Sequence, residues 1–240
     1  MKDMPILILH GWNLSAAKFQ PLEVELKKRG YKTYCIDLPG FGNTDKPKNP
    51  LDLSAYVRFV KDFLIKKKLD KIILIGHSFG GRISIKLTAE NPKIVHALIL
   101  TGTPGINPVP KGKIVFFLYL AKAGKLMFSL PVMAGIQDKA RKLLYRIARA
   151  TDFYNTDEKM RETFKNIIRE DLVPLMKRII TPTLLIWGKD DGIVLLSIAR
   201  KMSSLIKNSK LIVISEARHG VPWTHPKEFT DEVEKFLEKL

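Results

Sequence analysis

Residues 72–90 constrain this chain more than any other stretch. The continuous apolar run Ile72-Ile73-Leu74-Ile75 reads as a strand buried on both faces, and Arg82 to Glu90 reads as a helix with a small-residue start. Between them lies Gly76-His77-Ser78-Phe79-Gly80-Gly81, a Gly-x-Ser-x-Gly turn. A strand that turns sharply into a helix at this pattern holds Ser78 in a strained conformation at the apex, its hydroxyl exposed above the sheet. Glycine is expected at 76 and 80 because side chains there would collide where strand and helix approach each other. The Phe79 N–H then lies at a helix N-terminus, ready for an anion. A Gly-rich turn with an incidental serine would supply the same three residues, but not the strand before and the helix after.

A serine alone is a weak nucleophile and needs a base and an orienting acid. In this architecture both come later in the chain, the acid first and then the histidine, each just after a strand. Thr183-Leu184-Leu185-Ile186-Trp187 reads as a strand and runs into Gly188-Lys189-Asp190-Asp191-Gly192. Leu211-Ile212-Val213-Ile214 reads as another and leads through Ser215-Glu216-Ala217-Arg218 to His219. A last helix follows, with Phe229, Val233, Phe236, Leu237 and Leu240 at helical spacing. Four other histidines compete with His219. His77 neighbours the serine and should point away from it; His10 ends the first strand, His96 begins a strand interior, and His225 precedes Pro226 at a helix start. Asp190 and Asp191 are adjacent, so their side chains diverge and one of the two faces the base.

Leu9-His10-Gly11-Trp12, Asp37-Leu38-Pro39-Gly40-Phe41-Gly42, the serine turn, Leu185 to Asp191, and His219 near His225-Pro226 together resemble the α/β-hydrolase superfamily. Within it they resemble its small, lid-bearing, carboxylesterase-like serine hydrolases. The likeness runs nearly end to end, with about residues 106–180 outside any recognisable pattern. It implies an α/β-hydrolase fold whose core is 1–105 and 181–240, with a helical lid inserted at 106–180. It implies a catalytic triad of Ser78, Asp191 and His219, since the family's acid falls three residues after the glycine that ends its strand. It also implies an oxyanion hole from the N–H groups of Trp12 and Phe79. The chain starts almost directly with the strand Pro5 to Leu9, so the family's usual leading pair of strands has no room. That predicts a shortened, mostly or wholly parallel sheet of about six strands.

Six apolar runs at 5–9, 33–37, 71–75, 95–100, 183–187 and 210–214 alternate with amphipathic stretches, as a parallel α/β sheet requires. One such stretch carries Tyr56, Val60, Phe63 and Leu64 on a single face and ends in Lys66-Lys67-Lys68, where cations suit a helix C-terminus. At 240 residues there is material for one substantial core. Cys35 is the sole cysteine, which excludes an intrachain disulfide, and no cysteine–histidine metal spacing occurs, so no cofactor is expected. His10-Gly11 interrupts the first apolar run before it reaches signal-peptide length. A cytoplasmic protein is the simplest expectation.

The net charge of +17 raises nucleic acid or an anionic membrane as partners. The lysines are scattered over helix faces and ends, no nucleic-acid motif accompanies them, and a solvated surface accounts for them. Residues 111–178 carry 15 Lys and Arg against 7 Asp and Glu, about half of the excess, which would also draw an acidic substrate. The apolar runs of that region, Ile114 to Leu120 with Phe116, and Leu126-Met127-Phe128, are too short to span a bilayer. They suit a lid underside, and with Trp223 they are candidates for an acyl pocket. The expected activity is hydrolysis of carboxylic esters with short to medium apolar acyl groups. Thioesters, lactones and carbon–carbon bonds are cleaved on the same triad, and a non-catalytic ligand-binding protein uses the same fold.

Overall fold

Period-two alternation within each apolar run decides which side of the sheet every side chain serves. Leu7, Leu9, Leu74, Leu98, Leu100, Leu185 and Trp187 face one hydrophobic cluster. Their neighbours Ile6, Ile8, Ile73, Ile75, Ala97, Ile99, Leu184 and Ile186 face another. A sheet buried on both faces follows directly, because neither set can be left in water. The computed structural model describes residues 2–106 and 156–240 of the chain.

The strands are β1 (Ile6–Leu9), β2 (Thr33–Ile36), β3 (Ile72–His77), β4 (Val95–Thr101), β5 (Thr183–Gly188) and β6 (Ser209–Ile214). They form one six-stranded sheet in the order β2-β1-β3-β4-β5-β6, every pairing parallel. This is the α/β-hydrolase fold with the shortened sheet expected from the sequence. The described residues form eight α-helices: α1 (Gln20–Lys28), α2 (Leu53–Lys67), α3 (Phe79–Glu90), α4 (Glu158–Arg169), α5 (Val173–Arg178), α6 (Leu196–Leu205), α7 (Val221–Thr224) and α8 (Pro226–Leu237). None of the described helices is long and apolar enough to cross a membrane.

Local chemistry sets the helix ends. Asp52 caps α2 by accepting the Ala55 N–H at 2.7 Å, and Lys68 closes it in the left-handed region at φ 55°. Helix α8 stops at Leu237, earlier than the apolar spacing suggests; Leu240 lies beyond it, 46% exposed. The register places Leu9 beside Gly76, Gly76 beside Leu100, and Gly188 beside Ile214. The loops that follow β1, β3, β4, β5 and β6 therefore open on one edge of the sheet, where ligands of open α/β sheets bind.

Candidate active site

Ser78 is the hinge between β3 and α3, and its backbone stands at φ 51°, ψ −112°, a conformation that L residues adopt only under constraint. Three backbone bonds impose it. The Ser78 N–H donates to the Thr101 carbonyl at 2.9 Å, the Ser78 carbonyl accepts from Gly81 at 3.0 Å, and the Gly80 N–H donates to the His10 carbonyl at 3.0 Å. The flanking glycines are required by close approach. A Cβ at Gly80 would lie 2.2 Å from the Leu9 carbonyl oxygen, and one at Gly76 would lie 2.7 Å from Gly81 Cα.

Asp191 and His219 arrive from separate strand ends and meet. Asp191 is 4% exposed; its Oδ1 accepts the N–H groups of Ile193 at 2.9 Å and Val194 at 2.8 Å, and its Oδ2 lies 2.8 Å from His219 Nδ1. Both carboxylate oxygens are thus committed, and the one facing the imidazole is aimed by the other. The two loops are joined by backbone bonds, Lys189 N–H to Ile214 and Asp190 N–H to Ala217, at 2.9 and 3.0 Å. Gly188 lets them touch, since a Cβ there would lie 2.3 Å from the Arg218 carbonyl oxygen. Asp190 is exposed to solvent.

The other histidines have different occupations. His10 accepts the Leu38 N–H at Nε2, 2.9 Å away, so its proton is on Nδ1, which faces the Gly11 carbonyl at 2.8 Å. Burial pushes its pKa down against the opposing pull of that bond and of Asp37. His225 pairs with the Thr224 hydroxyl at 2.8 Å. His96 is half-buried on β4. His77 is wholly buried and packs on His219, with ring centroids 4.8 Å apart.

Trp12 and Phe79 come together in an aromatic cluster beside Ser78. Trp12 meets Phe41, Phe79 and Phe164 edge-on at 4.8, 5.1 and 4.9 Å, and its indole N–H donates to Thr156 at 2.8 Å. Among the described residues the backbone N–H groups of Trp12 and Phe79 donate to no protein acceptor. An open cleft of about 690 Å³ lies between the loops after β1 and β2, lined by Asn13, Leu14, Lys18 and Phe41 among others. Trp223 packs against Phe19 at 5.5 Å and His77 at 5.0 Å, beneath the His219 loop. Phe116 and Met127 lie outside the described residues. No group of three or more His, Cys, Asp or Glu side chains among the described residues is placed to hold a metal.

Two contributors had little signal in the sequence. Gly102, at φ 57°, follows β4 and borders His219, where a Cβ would lie 2.7 Å from Cε1; Thr101-Gly102-Thr103 after a strand marks a turn and nothing more. Arg82, four residues past Ser78, is buried and donates to the carbonyls of Pro104 at 2.6 Å, Ile167 at 2.8 Å and Glu170 at 2.6 Å.

Residues 4–121 match the family described as the alpha/beta hydrolase fold. An AB hydrolase superfamily protein of Bacillus subtilis, YisY, is 27% identical over 97% of this chain and 91% of its own length. The 2-hydroxy-6-oxononadienedioate/2-hydroxy-6-oxononatrienedioate hydrolase of Escherichia coli K12 is 28% identical over 98% of this chain and 87% of its own. Among solved structures, an esterase from Exiguobacterium antarcticum superposes with a TM-score of 0.75 at 21% identity, covering 99% of this chain and 92% of the esterase.

Proposed function

This chain is a member of the α/β-hydrolase superfamily, and from that premise we propose that it is a serine hydrolase of carboxylic esters. The observation that carries the reading is the buried Asp191–His219 bond of 2.8 Å, formed on the same sheet edge as a serine held at φ 51°. In this reading Ser78 Oγ attacks the carbonyl carbon and His219 takes its proton, later returning it to the leaving alcohol. Asp191 fixes the imidazole tautomer and stabilises its charged form. The N–H groups of Trp12 and Phe79 hold the oxyanion; a single such donor is worth about 3–4 kcal/mol in comparable sites. Water activated by His219 then releases the acid from the acyl-enzyme.

Short to medium apolar acyl groups are the proposed substrates, in keeping with Leu14 and Phe41 lining the open cleft. Residues 106–180 act as the lid, entered after β4 and left through α4 and α5. The 2-hydroxy-6-oxononadienedioate/2-hydroxy-6-oxononatrienedioate hydrolase of Escherichia coli supports a second reading, hydrolysis of a carbon–carbon bond. The same triad serves both, so substrate trials must decide between them. Purified protein is to be labelled with a fluorophosphonate, and hydrolysis followed for p-nitrophenyl esters of rising chain length and for a 2-hydroxy-6-oxodienoate. The adduct is expected on Ser78, with turnover of the shorter esters and none by Ser78→Ala. Faster cleavage of the dienoate than of every ester selects the second reading, and an adduct elsewhere removes both.

A further inference from the structure

Two histidines among the described residues are completely buried, and the fold treats them differently. His10 has a partner at each ring nitrogen. Among the described residues His77 makes no well-formed hydrogen bond at either. The Thr101 carbonyl, which accepts the Ser78 N–H at 2.9 Å, also draws weakly on the His77 ring. A buried polar ring so weakly bonded is a cost that an apolar side chain of similar size would not carry, so its presence needs a reason.

What His77 does touch is the base. Its ring lies 4.8 Å from that of His219, tilted by 57°, and is backed edge-on by Trp223 at 5.0 Å and at a tilt by Phe19 at 5.7 Å. Two glycines shape the slot. A Cβ at Gly102 would lie 2.7 and 2.9 Å from His219 Cε1 and Nδ1 and 3.1 Å from His77 Cε1. A Cβ at Gly11 would lie 3.0 Å from His77 Cδ2. His219 itself stands on a loop with its side chain 16% exposed, and the Asp191 bond alone is a pivot about which an imidazole can swing.

We propose that His77 is a positioning residue for His219, a ring wall that keeps the imidazole turned with Nδ1 on Asp191 and Nε2 free for Ser78. The proposal rests on the triad reading above. Burial, aided by the neighbouring rings of His219 and His10, holds His77 far below the ordinary histidine range, so it stays neutral while His219 works. The groups around it are Phe19 from the short helix before α1, Trp223 from α7, His10 and Gly11 after β1, Thr101 and Gly102 at the end of β4, and His219. Among these described neighbours there is no carboxylate, lysine or arginine.

The readout is the rate at which a fluorophosphonate modifies Ser78 between about pH 5 and 9, which is independent of the natural substrate. His77→Asn is expected to slow the plateau rate on the order of ten-fold or more and to weaken the downfield proton NMR signal of the His219–Asp191 hydrogen bond. Val233→Ala, a core truncation on α8, is expected to lower Tm while keeping the wild-type rate and NMR signal. Should His77→Asn fail to fold, Trp223→Leu removes the support behind the ring and is expected to slow labelling in the same way. Folded His77→Asn, or in its place Trp223→Leu, with the wild-type rate and NMR signal overturns the proposal. A wild-type adduct on a residue other than Ser78 overturns the triad reading itself and the proposal with it.

Discussion

Asp191 uses both of its oxygens, and that makes it the sharpest single-atom test of the site. Oδ1 takes two backbone N–H groups while Oδ2 takes the imidazole. Asparagine offers one acceptor and one donor in the same space. Either its NH₂ confronts the N–H groups of Ile193 and Val194, or it faces His219 and forces the proton onto the wrong ring nitrogen. Asp191→Asn is expected to leave a folded protein whose kcat is reduced by a factor on the order of 10⁴, as loss of the acid does in a related triad. Asp190→Asn should change kcat less than about two-fold, because an exposed carboxylate is screened by solvent. Steady-state kinetics of both variants on one ester decide the matter, and a crippled Asp190→Asn would move the role by one residue. The spacing from Gly188 that singles out Asp191 has a local cause, since a strand end fixes where the next few side chains point. Gly102 and the burial of His77 have no such cause. They arise from β4 and the loop after β6 meeting over β3, which no short window of sequence records.

At the scale of elements, the six strands were legible because each is built on a short, mostly apolar run, which the four central strands bury and the edge strands β2 and β6 only half bury. Arg82 was not, since a cation on a helix ordinarily reads as solvated. Its acceptors stand 22, 85 and 88 positions away in sequence, at Pro104, Ile167 and Glu170. The Ile167 and Glu170 carbonyls lie at the C-terminal end of α4, where helix carbonyls lack partners and the helix dipole is negative. One buried guanidinium thus fastens both the segment leaving β4 and the end of α4 to the helix that begins beside Ser78. Lys86, one turn on, adds a bond of 2.5 Å to the Glu170 carboxylate. Burial lowers the Arg82 pKa to about 10, with Glu170 and Asp171 opposing the fall, so the cation is retained at neutral pH. Arg82→Met should destabilise the fold by about 3 kcal/mol, because it strands carbonyls in an apolar setting. Urea denaturation measures this directly, and a loss of less than about 0.5 kcal/mol would show that water replaces the guanidinium freely.

The whole molecule carries +17 and also buries neutral imidazoles, and both features make it sensitive to acid. His10 and His77 have pKa values below the ordinary 6.5, in each case chiefly through desolvation, and His77 is the further displaced. In the unfolded chain both bind a proton near the ordinary value, so below it the unfolded state holds more protons than the native one. Stability is therefore full above about pH 6.5 and falls as pH drops, by up to about 1.4 kcal/mol per pH unit for each histidine, until the folded values are reached. Repulsion among surface cations acts in the same direction but is screened by salt, with a Debye length of about 10 Å at 0.1 M. The two causes separate in a urea titration between about pH 5 and 7.5 at low salt and at about 0.5 M. Most of the slope is expected to survive in high salt, and His77→Asn should reduce it by the share of one proton. A slope that vanishes in salt would assign the acid sensitivity to the surface, and an unchanged slope in His77→Asn would mean that His77 binds a proton in the native protein. That second outcome would also place a second cation against His219, an arrangement that opposes a base which must itself become charged.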